Sequence, residues 1–448
     1  MLSQSCSVKK PGFTGAKGEV KIITLDPGHF HAALVQKTMY DQIDTNVYVY
    51  APESNDVKEH LNRINGYNQR SENPSRWNEV VYTGTDYLEK MIAEKKGNVL
   101  VIAGNNQKKI DYIKASVDAG LNVLSDKPMA INTAAFDQLK ASFETAKEKG
   151  VLLYDIMTER SEISTILQKE FSLLPAVFGT LEKGTTENPA VTKESVHHFY
   201  KFVSGAALTR PAWFFDVNQQ GEGIVDVTTH LVDLVQWECF PDQILDYTKD
   251  ITVDDAKRWS TVITPAQFTE VTKLKTYPEY LNEAVKDSSL NVFANGEINY
   301  TVKGVHAKVS VIWNYKAPEG GGDTHYSIMR GTKANLIIRQ GQEQGFKPTL
   351  YIEPVAGTDT AAFATTLAAE MKKIQAKYED VELKKLATSW EVMIPEKYKV
   401  GHEAHFAQVT ERYLQYLVDG KLPEWEVPNM IAKYYTTTKA LEIAKNKK

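Results

Sequence analysis

Cysteine is nearly absent: Cys6 and Cys239 are the only two in 448 residues. A disulfide framework is therefore excluded, and so is a four-cysteine zinc site. No apolar run approaches the roughly 20 residues that a membrane-spanning helix needs. A basic surplus is lacking too, since 52 Lys and Arg face 57 Asp and Glu for a net charge of −5. Nothing in that balance points to nucleic acid. What is present is an ordinary globular composition, 42% hydrophobic and 24% charged. The length gives room for two or three domains at roughly 150 residues each.

Residues 1–19 are polar and carry Gly, Lys and Pro, which reads as a flexible leader. Leu2-Ser3-Gln4-Ser5-Cys6 matches the end of a bacterial lipoprotein signal, but no basic region and apolar run stand before it. Two readings follow. One is an ordinary N-terminus with an incidental cysteine and a cytoplasmic protein. The other is a truncated start on an exported, periplasmic protein carrying a lipid on Cys6.

From Val20 the pattern changes to strands alternating with helices. Val20–Leu25 is β-prone, Asp26–His31 is a turn, and Ala32–Val35 opens a helix. Further strands are expected at Asn46–Tyr50, Asn98–Ala103 and Asn122–Ser125, with helices around Val57–Ile64, at Tyr87–Glu94 and before Gly120. The run Asn98–Ala103 is almost wholly apolar, as a central strand buried on both faces should be. This alternation predicts a parallel, doubly wound sheet that binds its ligand at the carboxyl ends of the strands. Residues 20–155 are read as that Rossmann-like unit and 156–398 as an α+β domain with an open, mainly antiparallel sheet. Residues 399–448 are read as helices packing back on both, ending in a solvated basic tail at Lys445–Lys448.

The phosphate-cradling fingerprint G-x-G-x-x-G is not intact. The first turn reads Asp26-Pro27-Gly28-His29-Phe30-His31 and keeps only the middle glycine, the one that lets backbone approach a pyrophosphate. Glu53 is the nearest acid for ribose hydroxyls, and no Arg or Lys immediately follows the second strand to hold a 2′-phosphate. That favours NAD over NADP.

Two segments are more specific. Ala103-Gly104-Asn105-Asn106 is followed, one helix and one strand later, by Asp126-Lys127-Pro128. Further on, Trp213-Phe214-Phe215-Asp216 leads into Gly221-Glu222-Gly223, then Asp226, His230 and Asp233. Together they resemble the Gfo/Idh/MocA oxidoreductases, which include glucose–fructose oxidoreductase and inositol dehydrogenase. In that family a T-P-N-like turn precedes an E-K-P motif, and a G-G-G-x-x-x-D-x-G-x-H-x-x-D segment follows. Glu222 departs from the pattern by replacing a glycine, and Phe214 stands where many members carry an arginine beside the cofactor.

The resemblance implies cofactor contacts from Gly28, His29, Phe30, Ala103, Gly104, Asn105, Asn106, Asp126, Lys127 and Pro128. Asp226, His230, Asp233 and Trp237 are spaced to share one helix face within an apolar surround. Lys127 is expected to hydrogen-bond a reacting hydroxyl, His230 to shuttle its proton and Asp226 to orient substrate or histidine. Arg160 and Trp213 join Asp226 and His230 as expected substrate contacts. The adjacent pair His197-His198 cannot face one way on a strand, and H-E-x-x-H is absent around His402 and His405, so no metal site is expected. One of His402 and His405 lining the cleft is one reading; capping and packing are the others.

These readings imply an NAD(P)-dependent oxidoreductase acting on a hydroxyl or keto group of a sugar, glycoside or cyclitol. The alternative is a redox-neutral glycosidase or lyase of the same family that retains its NAD. A non-catalytic regulator is the third reading, against which the joint presence of Lys127, Asp226 and His230 argues. The family also implies a homo-oligomer formed through the C-terminal sheet.

Overall fold

The computed structural model describes residues 12–203 and 206–447; Leu2–Cys6 lie outside them. Residues 12–19 are tied down rather than loose, because the Glu19 carboxylate accepts the N–H groups of Thr14, Gly15 and Ala16. Six strands then form a wholly parallel sheet: β1 (Ile22–Leu25), β2 (Asn46–Ala51), β3 (Asn78–Thr83), β4 (Val99–Ile102), β5 (Asn122–Asp126) and β6 (Leu153–Ile156). Their order is β3-β2-β1-β4-β5-β6. The strand order reverses between β1 and β4, which run parallel, and this is the switch point where such sheets open a ligand crevice. The edge strand β3 is not among the expected strands, and its Val80 and Val81 are exposed. With little buried apolar surface, it left no periodic signal.

The helix after β1 is a single turn, His31–Leu34. A much later segment supplies cover for this part of the core. Helix His402–Asp419 lays Phe406, Val409, Tyr413, Leu414 and Leu417 into the cluster built around β1 and β4.

The second domain is a mixed, mainly antiparallel sheet. Its strands run in the order Ile251–Ile263, Ser289–Val302, Val305–Lys316, Val191–Tyr200, Thr324–Arg330, Ala334–Gln340, Thr349–Pro354, Trp390–Met393 and Glu382–Lys385. Val305–Lys316 and Val191–Tyr200 pair in parallel. Ser289–Val302 is one strand and does not break at Asn295-Gly296. Gly296 serves packing instead, since a Cβ there would meet the Ile224 side chain at 2.5 Å. Val177–Lys183 is not a strand; within it only Leu181 makes an isolated bridge, to Gly331.

One buried ionic cluster joins the two halves. Arg160 donates from Nε and Nη2 to the two Asp233 oxygens, both at 2.7 Å, and from Nη1 to Glu426 at 2.8 Å. The Lys433 ammonium lies 2.8 Å from Asp233 and 2.7 Å from Asp155. Asp155 belongs to β6, Asp233 to helix Thr228–Cys239, and Glu426 and Lys433 to helix Glu426–Asn446. Burial alone would raise the Asp233 carboxyl, but Arg160 and Lys433 outweigh it and hold it well below the carboxylate range. A lowered folded value stabilises the native state above the unfolded value of about 3.9 and loses that contribution as pH falls further. Lys433→Met would leave Asp155 short of a counter-charge and is expected to cost about 3–5 kcal/mol in urea unfolding at pH 7. The deficit should shrink on acidification below pH 4.

Candidate active site

The carboxyl ends of β1, β4 and β5 face the second domain across a cleft of about 510 Å³. Asp226 is positioned by two glycines. Gly221 adopts φ +91°, and a Cβ on Gly223 would meet the Ala294 carbonyl oxygen at 1.7 Å, so this backbone lies directly on the sheet. The intervening Glu222 is buried and paired with Arg258 at 2.6 Å and Lys445 at 3.3 Å. The glycine replacement thus anchors the C-terminal tail, and Lys445 is an ion-pair partner where the sequence suggested only a solvated charge.

Lys127, just past β5, donates to Asp226 Oδ1 at 2.6 Å, and Gln220 Nε2 donates to Asp226 Oδ2 at 3.1 Å. His230 lines the same cleft, and its buried Nδ1 has no hydrogen-bond partner. Burial, followed by the charges of Lys127 and His402, holds its imidazole well below the ordinary histidine value. It is therefore neutral at pH 7, as a proton acceptor must be. Asp226 precedes helix Thr228–Cys239 rather than sharing its face, because the backbone at Asp226 is not helical (φ −95°, ψ −89°).

The other expected residues divide. Gly104, Asn106, Asp126, His29 and Phe30 line the cleft. Asn106 donates to the Gln220 carbonyl at 2.7 Å and accepts from the buried Lys109 ammonium at 2.6 Å. Asn105 accepts the Gln107 N–H and donates to Gln219. Pro128 follows Lys127 through a cis peptide bond. Gly28 and Trp213 lie in an adjoining cleft of about 650 Å³, where Trp213 Nε1 donates to Asp56 at 2.8 Å. Trp213 is thus set apart from Asp226 and His230. Arg160 is not brought to the cleft, because Asp233 and Glu426 occupy its guanidinium. Trp237 lies elsewhere, under the Lys169 ammonium at 3.9 Å. Glu53 is exposed and 3.9 Å from Lys58.

The first turn departs from its expected use. The N–H groups of Gly28 and His29 both donate to the Ala103 carbonyl at 3.1 Å, so neither is free for a phosphate. The Asp26 carboxylate faces away, accepting from Tyr112 at 2.6 Å with Lys108 at 3.5 Å.

Arg210 was not singled out in the sequence. Its buried guanidinium lines both clefts and lies 4.4 Å over the ring of Phe214. An arginine four positions upstream thus delivers its charge beside the position where the family pattern carries one. It donates to the Phe199 and His198 carbonyls, and no carboxylate pairs with it among the described residues. His402 and His405 both line the cleft, and His402 reaches His31 with Nε2 atoms 3.4 Å apart. His197 and His198, although adjacent, both direct Nδ1 to Asp323, at 3.3 and 2.9 Å.

A parallel sheet whose strand order reverses at β1 and β4, capped by a mainly antiparallel domain beside a lysine, an acid and a neutral histidine, defines a two-domain protein of the dinucleotide-fold class. Residues 29–155 match the model described as "Oxidoreductase family, NAD-binding Rossmann fold", and residues 167–445 match "Putative oxidoreductase C terminal domain". The chain belongs to the Gfo/Idh/MocA oxidoreductase family. It is similar to the crystal structure of a "putative oxidoreductase" from Parabacteroides merdae, with 62% identity over 98% of this chain and 100% of that one and a TM-score of 0.97. The fold is shared with levoglucosan dehydrogenase in complex with NADH, at 12% identity over 95% and 97% of the chains and a TM-score of 0.60. It is shared also with GenD2 from gentamicin A biosynthesis in complex with NAD, at 16% identity over 98% of each chain and a TM-score of 0.57. No functionally curated protein matches the chain.

Gly104 sets the spacing of the two turns that floor the cleft. A Cβ there would lie 2.4 Å from the Asp26 carbonyl oxygen and 2.9 Å from the Gly28 nitrogen. Gly104→Ala is expected to destabilise the protein by about 1–3 kcal/mol through backbone displacement, read as a lowered Tm.

Proposed function

We propose that the protein transfers hydride between a nicotinamide cofactor and a hydroxyl or keto carbon of a carbohydrate-like substrate, NAD being favoured over NADP. The observation that carries this reading is the meeting, in one cleft, of the Lys127–Asp226 ion pair with a neutral His230 whose Nδ1 is unpartnered. The nicotinamide, when bound, supplies the hydride acceptor or donor.

The residues present fit such a cofactor, with a changed division of labour. His29, Phe30, Leu208, Arg210 and Phe214 line both clefts, giving a continuous path for an extended ligand along the strand ends. The N–H groups of Gly28 and His29 are spent, but Arg210 offers a pyrophosphate a fixed positive charge that no carboxylate pairs with directly among the described residues. Asp26 is turned aside and does not oppose it.

Alcohol oxidation requires loss of the hydroxyl proton as hydride leaves the carbon. In this reading Lys127 donates a hydrogen bond to the reacting oxygen and stabilises its developing negative charge. His230 accepts the proton on its imidazole, and in the reducing direction returns it. Asp226 holds the lysine ammonium at 2.6 Å and so fixes the donor's direction. Phe30, Phe214 and Trp313 provide aromatic surface, while His197, Asp323 and His325 provide polar groups, the mixture that a ring bearing several hydroxyls requires.

His230→Ala is expected to lower kcat by about 10²–10⁴-fold while NAD affinity, followed by nucleotide titration, stays near that of the wild type. Full turnover in that variant on a substrate found by screening sugars, glycosides and cyclitols would refute the assignment. Failure of the wild-type protein to retain or bind either nicotinamide would refute the cofactor.

A further inference from the structure

We propose that His29, His31 and Asp126 form a binding site for a divalent transition-metal ion of the zinc class, with an open coordination position facing the cleft. One donor atom from each residue lies within 4.8 Å of the other two. His31 Nδ1 is 3.0 Å and His29 Nδ1 is 3.7 Å from the same Asp126 oxygen. Ligand bonds of about 2.0–2.2 Å in tetrahedral geometry place donors roughly 3.3–3.6 Å apart, which these two distances bracket.

Protonation is compatible with this use. His29 Nδ1 accepts the His31 backbone N–H at 3.4 Å, a long contact that leaves this nitrogen without a proton of its own. His31 Nδ1 lies at hydrogen-bond distance from the Asp126 oxygen, 3.0 Å, which only accepts, so His31 carries its proton there while no metal is bound. A metal ion takes the place of that proton and of the long N–H contact, with His29 Nδ1, His31 Nδ1 and the Asp126 oxygen as its three ligands.

The surrounding groups suit this use. With Nδ1 on the metal, His31 carries its proton on Nε2, which faces His402 Nε2 at 3.4 Å. His402 Nδ1 in turn lies 3.9 Å from Glu159. His402 thus stands to receive the outer N–H of a metal-bound His31, an outer contact of the kind that orients metal-binding histidines. Two ammonium groups lie nearby, and each is engaged: Lys127 by Asp226, and Lys109 by Asn106 and the Asp126 carbonyl. Three protein ligands with one position left open is the pattern of a catalytic ion, one that takes a water or a substrate oxygen. Only this last role, polarising a hydroxyl or carbonyl oxygen, rests on the proposed oxidoreductase reading; binding of the ion does not.

The test uses untagged full-length protein stripped with a chelator and then titrated with Zn²⁺ by calorimetry and with Co²⁺ by visible absorption, without substrate or nucleotide. One equivalent is expected to bind, with a Co²⁺ ligand-field spectrum. His29→Ala should weaken binding by more than 100-fold, and the supporting change His402→Gln by about 10–100-fold. Asp126→Asn should behave like His29→Ala; since Asp126 is buried, circular dichroism checks its fold, and the less buried His29 decides if Asp126→Asn does not fold. Wild-type protein that binds neither ion, or binds as tightly as His29→Ala, would overturn the proposal. Because no turnover is measured, a negative result here leaves the hydride-transfer reading standing, and the converse also holds.

Discussion

The buried cluster of Arg160, Asp233, Lys433, Asp155 and Glu426 is the constraint on which the rest of the structure depends. Two cations and three acids have left water, a transfer repaid only while every partner stays in place. Each residue belongs to a different stretch of chain or a different turn of the last helix. The cluster therefore fixes the last helix against β6 and against the helix that carries His230. Because His230 is on the same helix as Asp233, one turn earlier, the ionic cluster sets where the imidazole sits relative to Lys127. Burial raises the Glu426 carboxyl, against which the Arg160 charge works.

The site itself shows a trade between backbone and side-chain electrostatics. A dinucleotide fold ordinarily presents free N–H groups at its first turn. Here two of them bind the Ala103 carbonyl, closing the turn onto β4, and the helix that follows is a single turn. Positive charge comes instead from the second domain, as the guanidinium of Arg210 held over Phe214 and Trp313. Burial pulls that guanidinium down to about 10, which leaves it charged at pH 7, and the two rings hold it in place.

Much of this was legible in the sequence, for local reasons. Strands β1, β2, β4 and β5 are short apolar runs bounded by turn residues, and the spacing of Asn106, Asp126 and Lys127 follows from one helix and one strand. Asp226 and His230, singled out by pattern, meet in one cleft, although Asp226 lies outside the helix face that the spacing suggested. What the sequence hid depends on distant partners. Arg160 reads the same whether it meets a substrate or Asp233. The roles of Arg210 and Lys445 appear only once Phe214 and Glu222 are seen beside them. The edge strand β3 buries too little to leave a periodic trace, and Asp323 collects both members of a histidine pair that strand geometry alone would separate.

The pairing of His31 with His402 has a consequence for how the chain is made. The two residues are 371 positions apart. Translation at about 5–20 residues per second delivers the second about 20–75 s after the first. Until then the single-turn helix after β1 has no Phe406 or Tyr413 against it, and the earliest strands wait with an apolar flank uncovered. The Rossmann half is thus first in order of synthesis and yet completed by the last fifty residues.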